Sequence, residues 1–325
     1  NKTSRTISNV LGNIEVNSYI PDFTKSACDD SSCESHEKGI FETNDYDGNP
    51  TYYYRGSVEN NYVKFAGYYW RIIRINSNGS IRMIYDGTVA HDNGEVSEDR
   101  QYKKTPFNVN NNDNMYVGYM YTSGDAHGLG TSSTIKTTND QFYQDKLLSY
   151  ASKIDTIVGY CGDRSTLNLE SGVGTGTIST YYKGYLRIEE SRPTLICENE
   201  LDYYTTSSAS NGNKALIYPT GLIAADEVML AGHAGGVFNG SYHHEKINRS
   251  SFLFTGNHFW TITPAGYYNP YGYSNFTTMV QFVLDLGGFG DDLTYSSRAL
   301  RPVINIRSDV KLTGSGMKTD PYEIL

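Results

Sequence analysis

The chain reads as an α+β protein of mostly antiparallel short strands, with two or three helices and long loops. Three observations give this reading. From residue 259 to 306, β-branched and aromatic runs alternate with loops rich in Gly, Pro, Asn and Asp, in the order FWTIT, PAGYYNPYGYSNF, MVQFVLDL, GGFGDDLTYSS and RALRPVINI. Upstream, YVKFAGYYWRIIRI is joined to SIRMIY by Asn-Ser-Asn-Gly, a strong hairpin signal. One segment shows clear helical spacing, with Phe142, Leu147, Leu148 and Ala151 forming an apolar stripe.

The elements follow in chain order. Residues 1–39 are polar, cysteine-bracketed and weakly periodic, and are expected as a linker or lead-in strand. Strand signals then continue across the middle, so a single domain is expected over 40–325. Strand-like runs fill residues 52–86. Within them Trp70 and Ile72 face one side and Ile73 and Ile75 the other, which suits a central strand covered on both faces. Residues 87–135 are loop-dominated, with NVNNNDN ahead of a short strand-like MYVGYMY. Thr138 or Asn139 can cap the helix that follows, and Asp140 is well placed near its N-terminus. A shorter helix is expected at Ala225–Leu230, ending before Gly232. In the last strand Pro302 fixes an edge or a strand start, and Val303, Ile304 and Ile306 pack the core. That structural role outweighs ligand contact by Arg298 or Arg301. No solenoid repeat or heptad is present.

Composition narrows the function classes. At 325 residues there is ample length for a sizeable core. Hydrophobic residues make up 38%, supplemented in packing area by 29 Tyr and 12 Phe, while charged residues reach only 19%. This is the balance of an extracellular β-rich protein rather than a cytosolic enzyme. The net charge of −9 comes without any basic run or stripe, which argues against nucleic acid and against an anionic membrane as partners. No stretch is long and apolar enough to span a bilayer, and NKTSRTISNVLGN is neither a signal peptide nor a membrane helix.

Four cysteines allow three pairings. Cys28 and Cys33 bracket the polar loop DDSS, so a local bridge is sterically reasonable. Cys161 and Cys197 lie beside turn-rich segments. A four-thiolate metal site lacks the tight C-x2-C spacing. His233, His243, His244 and His258 cluster with Glu245, but H-E-x-x-H geometry is absent and the Gly- and Asn-rich flanks suggest solvated histidines. Asp45, Asp47 and Asn49 imitate the start of a calcium loop, yet its sixth position holds Pro50, and Asp-Gly reads more simply as a turn. Neither G-x-S-x-G nor a P-loop occurs, and G-V-G-T-G at 172–176 lacks a strand-helix context. Cys161, followed by Gly-Asp-Arg-Ser, is a candidate nucleophile only if its thiol is free. No cofactor or metal is expected.

The loop after Trp260 is the best candidate for a working site. With Trp260, itself an expected ligand contact, at its entry, it sets Tyr267, Tyr268, Tyr271 and Tyr273 among Asn269, Asn275, Gly, Pro and Ser, the composition of a binding loop. The loop after Leu286, with Phe289 and Asp291, is expected beside it. Trp70, Trp260, Val283 and Ile304 are expected to hold both loops from the core. The competing reading makes these tyrosines half-buried strand neighbours.

Several segments carry a resemblance. YYRGSVENNYVKFAGYYWRIIRINSNGSIRMIYDG (53–87), NNNDNMYVGYMYT (110–122), STIKTTNDQFYQDKLLSYASKI (133–154) and CGDRS (161–165) are similar to a large uncharacterised family. So are ALIYPTGLIAADEVMLAG (215–232), FWTITP (259–264) and RPVINIRSDVKLTGSGMKTDPYEI (301–324). Its members are surface or secreted proteins of gut Firmicutes and mollicute-like bacteria, often behind a membrane helix or a pilin-type leader. The C-terminal half resembles the C-type-lectin-like fold shared with formylglycine-generating enzymes and invasin-type adhesins. The resemblance implies a mature or trimmed ectodomain, a Cys161–Cys197 bridge and an extracellular or cell-surface location. The calcium motifs of C-type lectins are missing, although Asp291 and Asp292 follow Gly-Phe-Gly. The paired C-terminal cysteines of the formylglycine-generating relatives are missing too. The expected function is therefore adhesin-like: binding of a host or microbial surface protein or glycan, without turnover. The alternative is a structural or tip subunit of a pilus-like fibre, which would take copies of itself as partners.

Overall fold

The organising element is strand Tyr68–Ile75, whose YYWRIIRI sequence is apolar on both faces. Trp70, Ile72 and Ile73 are all buried, and the strand pairs antiparallel with Ile81–Gly87, Tyr62–Phe65 and Pro50–Arg55. Its hairpin closes at Gly79, where φ is +79°, with the Asn76 amide donating to Ser80 O at 2.8 Å. A side chain at that φ would be strained, which is why Asn-Gly marks the turn. The computed structural model describes residues 4–7, 14–29, 31, 35–167, 170–235, 248–269 and 275–325.

The fold is mixed α+β, dominated by strands. One nine-stranded sheet runs in the order Arg5–Thr6, Lys311–Thr313, Tyr322–Ile324, Tyr62–Phe65, Tyr68–Ile75, Pro50–Arg55, Gly39–Asn44, with Ile81–Gly87 and Val303–Ile306 continuing from the central strand. A six-stranded sheet runs Phe289–Leu293, Thr277–Val283, Phe259–Tyr268, Arg298–Leu300, Lys103–Thr105, with Thr180–Tyr181 also paired to Phe259–Tyr268. The chain passes from the second sheet to the first between Leu300 and Val303, so RALRPVINI is two strands, with Pro302 just before the second. Trp70, Trp260, Val283 and Ile304 are all in one buried core.

Among the described residues three α-helices pack on these sheets: α1 (Thr134–Lys146), α2 (Lys183–Glu189) and α3 (Ala225–Leu230). Helix α1 begins earlier than Thr138, because Ser133 Oγ accepts from the Lys136 amide at 3.3 Å and caps it. It also ends sooner than the apolar stripe suggests. The chain tightens into a 3-10 turn at Leu148–Lys153, which leaves Leu147 buried but Leu148 54% exposed. The described part of 1–39 is packed in places and exposed in others, with Ile20 in solvent. Ile7, Ala27 and Cys28 are buried, and the Ala27 amide donates to Gly232 O at 2.8 Å.

His233 is buried, its Nδ1 2.5 Å from Gly287 O and its Nε2 3.2 Å from Ser251 Oγ. Burial pushes the imidazole down to about 4 against the pull of the Gly287 carbonyl. The folded protein therefore holds it neutral where the unfolded chain takes a proton. Stability should be level above about pH 6.5 and should fall by about 3 kcal/mol as pH drops from there to about 4. Urea midpoints measured across that window should lose much of their slope in His233→Gln. An undiminished slope would exclude His233 as its source.

Candidate functional site

An aromatic face forms on the six-stranded sheet. Strand Phe259–Tyr268 runs on past Pro264 through register shifts between Trp260 and Pro264 and between Pro264 and Gly266. The bulges absorb the missing proline donor, so the expected loop 264–276 loses its first residues to the strand. Tyr267 and Tyr268 consequently face opposite ways. Tyr267 is buried, and its hydroxyl donates to Asn112 O at 3.4 Å. Tyr268 stacks on Tyr181 with ring centroids 4.8 Å apart and planes 19° off parallel, and its hydroxyl donates to Asp291 Oδ2. Tyr185 of α2 tilts against Tyr181 at 6.4 Å.

Gly266 permits this arrangement. It lies opposite Tyr181 in register, and a Cβ there would sit 2.5 Å from the Tyr268 ring and 2.8 Å from Thr180 O. Burial, and then the charge of Asp291, push the Tyr268 phenol well above its ordinary range, so it remains a donor.

The other expected site residues separate into support, rim and residues outside the description. Trp260 and Phe289 are in the interior, with Trp260 Nε1 donating to Thr105 O at 2.9 Å. They hold the face and do not present themselves to a ligand. Phe289 and Asp291 belong to strand Phe289–Leu293, not to a loop, because 289–293 pairs residue by residue with Thr277–Val283. Asn269 is half-buried and Asn275 exposed. Tyr271 and Tyr273 lie outside the described residues. Tyr181 and Tyr185 had no signal of their own in the sequence; only the pairing of Thr180–Tyr181 with the long strand brings them here.

A polar cavity of about 120 Å³ lies elsewhere, lined among others by Arg74, Asn76, Arg82, Asp163, Arg187 and Asp226. Arg74 Nε and Arg82 Nη1 both donate to Glu227 Oε1 at 2.9 Å. Arg187 donates to Asp163 Oδ2 at 2.7 Å and to Asp226 Oδ1 at 2.9 Å. Burial would raise Glu227, but Arg82 and then Arg74 outweigh it and hold the carboxyl below its usual range. Burial would likewise lower Arg187, but Asp226 and then Asp163 hold it above. At the rim Tyr46 stacks on Tyr203 at 4.4 Å. Asp45 is a turn residue, its Oδ1 accepting from the amides of Asp47 and Asn49.

Cys161, also in the cavity wall, is bonded to Cys197, so it carries no free thiol. Cys33 lies outside the described residues, and among those described no cysteine is free. His243, His244 and Glu245 also lie outside them. His258 faces Asp285 at 3.2 Å, and among the described residues no group of three or more His, Cys, Asp or Glu is placed to hold a metal. No described helix is long and apolar enough to cross a membrane. Compared with family models, curated proteins and solved structures, the chain matches none.

Proposed function

We propose that this is an extracellular, adhesin-like protein of C-type-lectin-like fold that binds a host or microbial surface protein or glycan without turnover. The observation that carries the reading is the Tyr181–Tyr268 stack, with Tyr181 39% exposed and Tyr268 fixed by Asp291. A rigid aromatic pair loses little entropy on binding and offers both ring area and hydroxyls. The Cys161–Cys197 bridge supports an oxidising compartment. The cavity carboxylates Asp163, Asp226 and Glu227 are all bonded to arginines, which favours fixed charge over proton cycling.

The purified chain should be screened on immobilised mucosal proteins and glycans, and the strongest binder titrated. Tyr181→Ala should weaken that binding by roughly 30-fold, as for a hot-spot residue, with the melting midpoint nearly unchanged. Full affinity in Tyr181→Ala would remove this face as the binding site. The fibre-subunit alternative predicts assembly that grows with concentration, readable by sedimentation.

A further inference from the structure

The polar cavity is built from charges that do not cancel locally. At one end Arg74 and Arg82 share the single carboxylate of Glu227, two cations on one buried anion, with Asp45 and Asp47 also in the cavity lining. At the other end Arg187 stands between Asp163 and Asp226, leaving an excess of negative charge. Apart from Arg187, which is half-buried, these side chains are buried. A buried charge without a counter-charge costs several kcal/mol. Each end is therefore primed for an opposite charge brought from outside the fold.

The Arg74 amino groups show where a ligand would attach, near an oxygen of Asn76 that the fold leaves unpaired. Arg74 uses only its Nε, and its two amino groups have no partner among the described residues. Burial, and then Arg82, lower its guanidinium from the ordinary range, the response of a cation short of counter-charge. Asn76 donates through Nδ2 to Ser80 Oγ at 2.8 Å and Asn305 Oδ1 at 3.0 Å. Its own Oδ1 is buried with no partner.

We infer that this cavity is a binding site for a small zwitterion, an α-amino acid, with its carboxylate on the amino groups of Arg74 and its ammonium toward Asp163 and Asp226. A simple acid would be repelled by the Arg187 end and by Asp45 and Asp47, which also line the cavity. A simple amine would be repelled by Arg74 and Arg82. A zwitterion answers both ends, and a guanidinium with two free amino groups suits bidentate carboxylate binding. The volume of about 120 Å³ is several times what one water needs and suits residues from glycine to threonine.

Calorimetry on the whole chain at neutral pH and low salt tests this, using glycine, alanine, serine and threonine as probes. Lactate supplies the carboxylate without the ammonium, and alaninamide the ammonium without the carboxylate. At least one amino acid should bind and raise the melting midpoint, and its two half-charged counterparts should bind at least ~10-fold more weakly. Arg74→Met, checked for a native circular dichroism spectrum, should lose about 10- to 100-fold in affinity. Because the analogue series runs on the unmutated protein, a misfolded variant leaves the test intact. Lactate or alaninamide binding as well as alanine, no binding by any of the four amino acids, or unchanged affinity in folded Arg74→Met would each overturn the assignment. Tyr181→Ala should leave amino-acid binding untouched, which separates this site from the aromatic face.

Discussion

Asp86→Ala is expected to destabilise the fold by about 3–5 kcal/mol, the largest effect of any single substitution considered. Asp86 Oδ1 accepts from Arg100 Nε at 2.8 Å and from Arg301 Nη2 at 3.0 Å, and all three side chains are buried. Burial pushes the Arg301 guanidinium down to about 9, with Asp86 as its chief support. Both arginines also donate to backbone carbonyls of 252–254, Arg100 to Phe252 O at 3.0 Å and Arg301 to Leu253 O at 2.8 Å. Removing the carboxylate leaves two interior cations facing each other, and that segment loses its anchor. Urea unfolding and the melting midpoint should both report the loss, the latter by several degrees. The exposed Arg307–Asp309 pair is the matched control, and Asp309→Ala should leave the midpoint where it was. A loss below about 1 kcal/mol in Asp86→Ala would show that the site relaxes or admits water.

Cys161→Ser should come next, at about 3–4 kcal/mol in the chain-entropy account of a bridge spanning 36 residues. Intact-mass measurement without reductant should find no alkylatable thiol in the parent chain. Cys28→Ser should cost much less, since any bridge it forms with Cys33 closes only a short loop. Equal losses in the two variants would contradict the loop-length argument. A parent chain with alkylatable thiols would undo the disulfide and, with it, the support for an oxidising compartment.

The parts of the fold that could be read from sequence are those in which local pattern and tertiary environment agree. Tyr68–Ile75 is apolar on both faces because it is covered on both, and Asn-Gly at its end needs the left-handed backbone that Gly79 adopts. Helix α3 falls on its expected residues for the same reason. The misreadings arise where a breaker residue is outvoted by pairing. Pro264 reads as the end of a strand, yet Thr180–Tyr181 and Thr277–Val283 both pair beyond it and carry the strand to Tyr268. Phe289–Leu293, FGDDL, looks like a loop because its glycine and aspartates mask a register fixed by the neighbouring strand. In the candidate site, Tyr268 and Asp291 could be named from composition alone. Their partner Tyr181 could not, because proximity across the sheet leaves no trace in the spacing of residues. The cavity was harder still: Arg74 and Arg82 sit in strands and Arg187 in helix α2, where each resembles an ordinary polar position, and only the fold turns them inward.

The crossing between Leu300 and Val303 has a mechanical consequence. The two sheets are joined there by Arg301 and Pro302 alone, one pinned by its guanidinium to Tyr85 O, Leu253 O and Asp86, the other fixed by its ring. Such a joint has no slack. A pull on the tyrosine face travels along Phe259–Tyr268 to its neighbour Arg298–Leu300, and from there into Val303–Ile306 and the central strands. Tension arriving at one sheet is thus borne by both, and the molecule resists being peeled apart layer by layer.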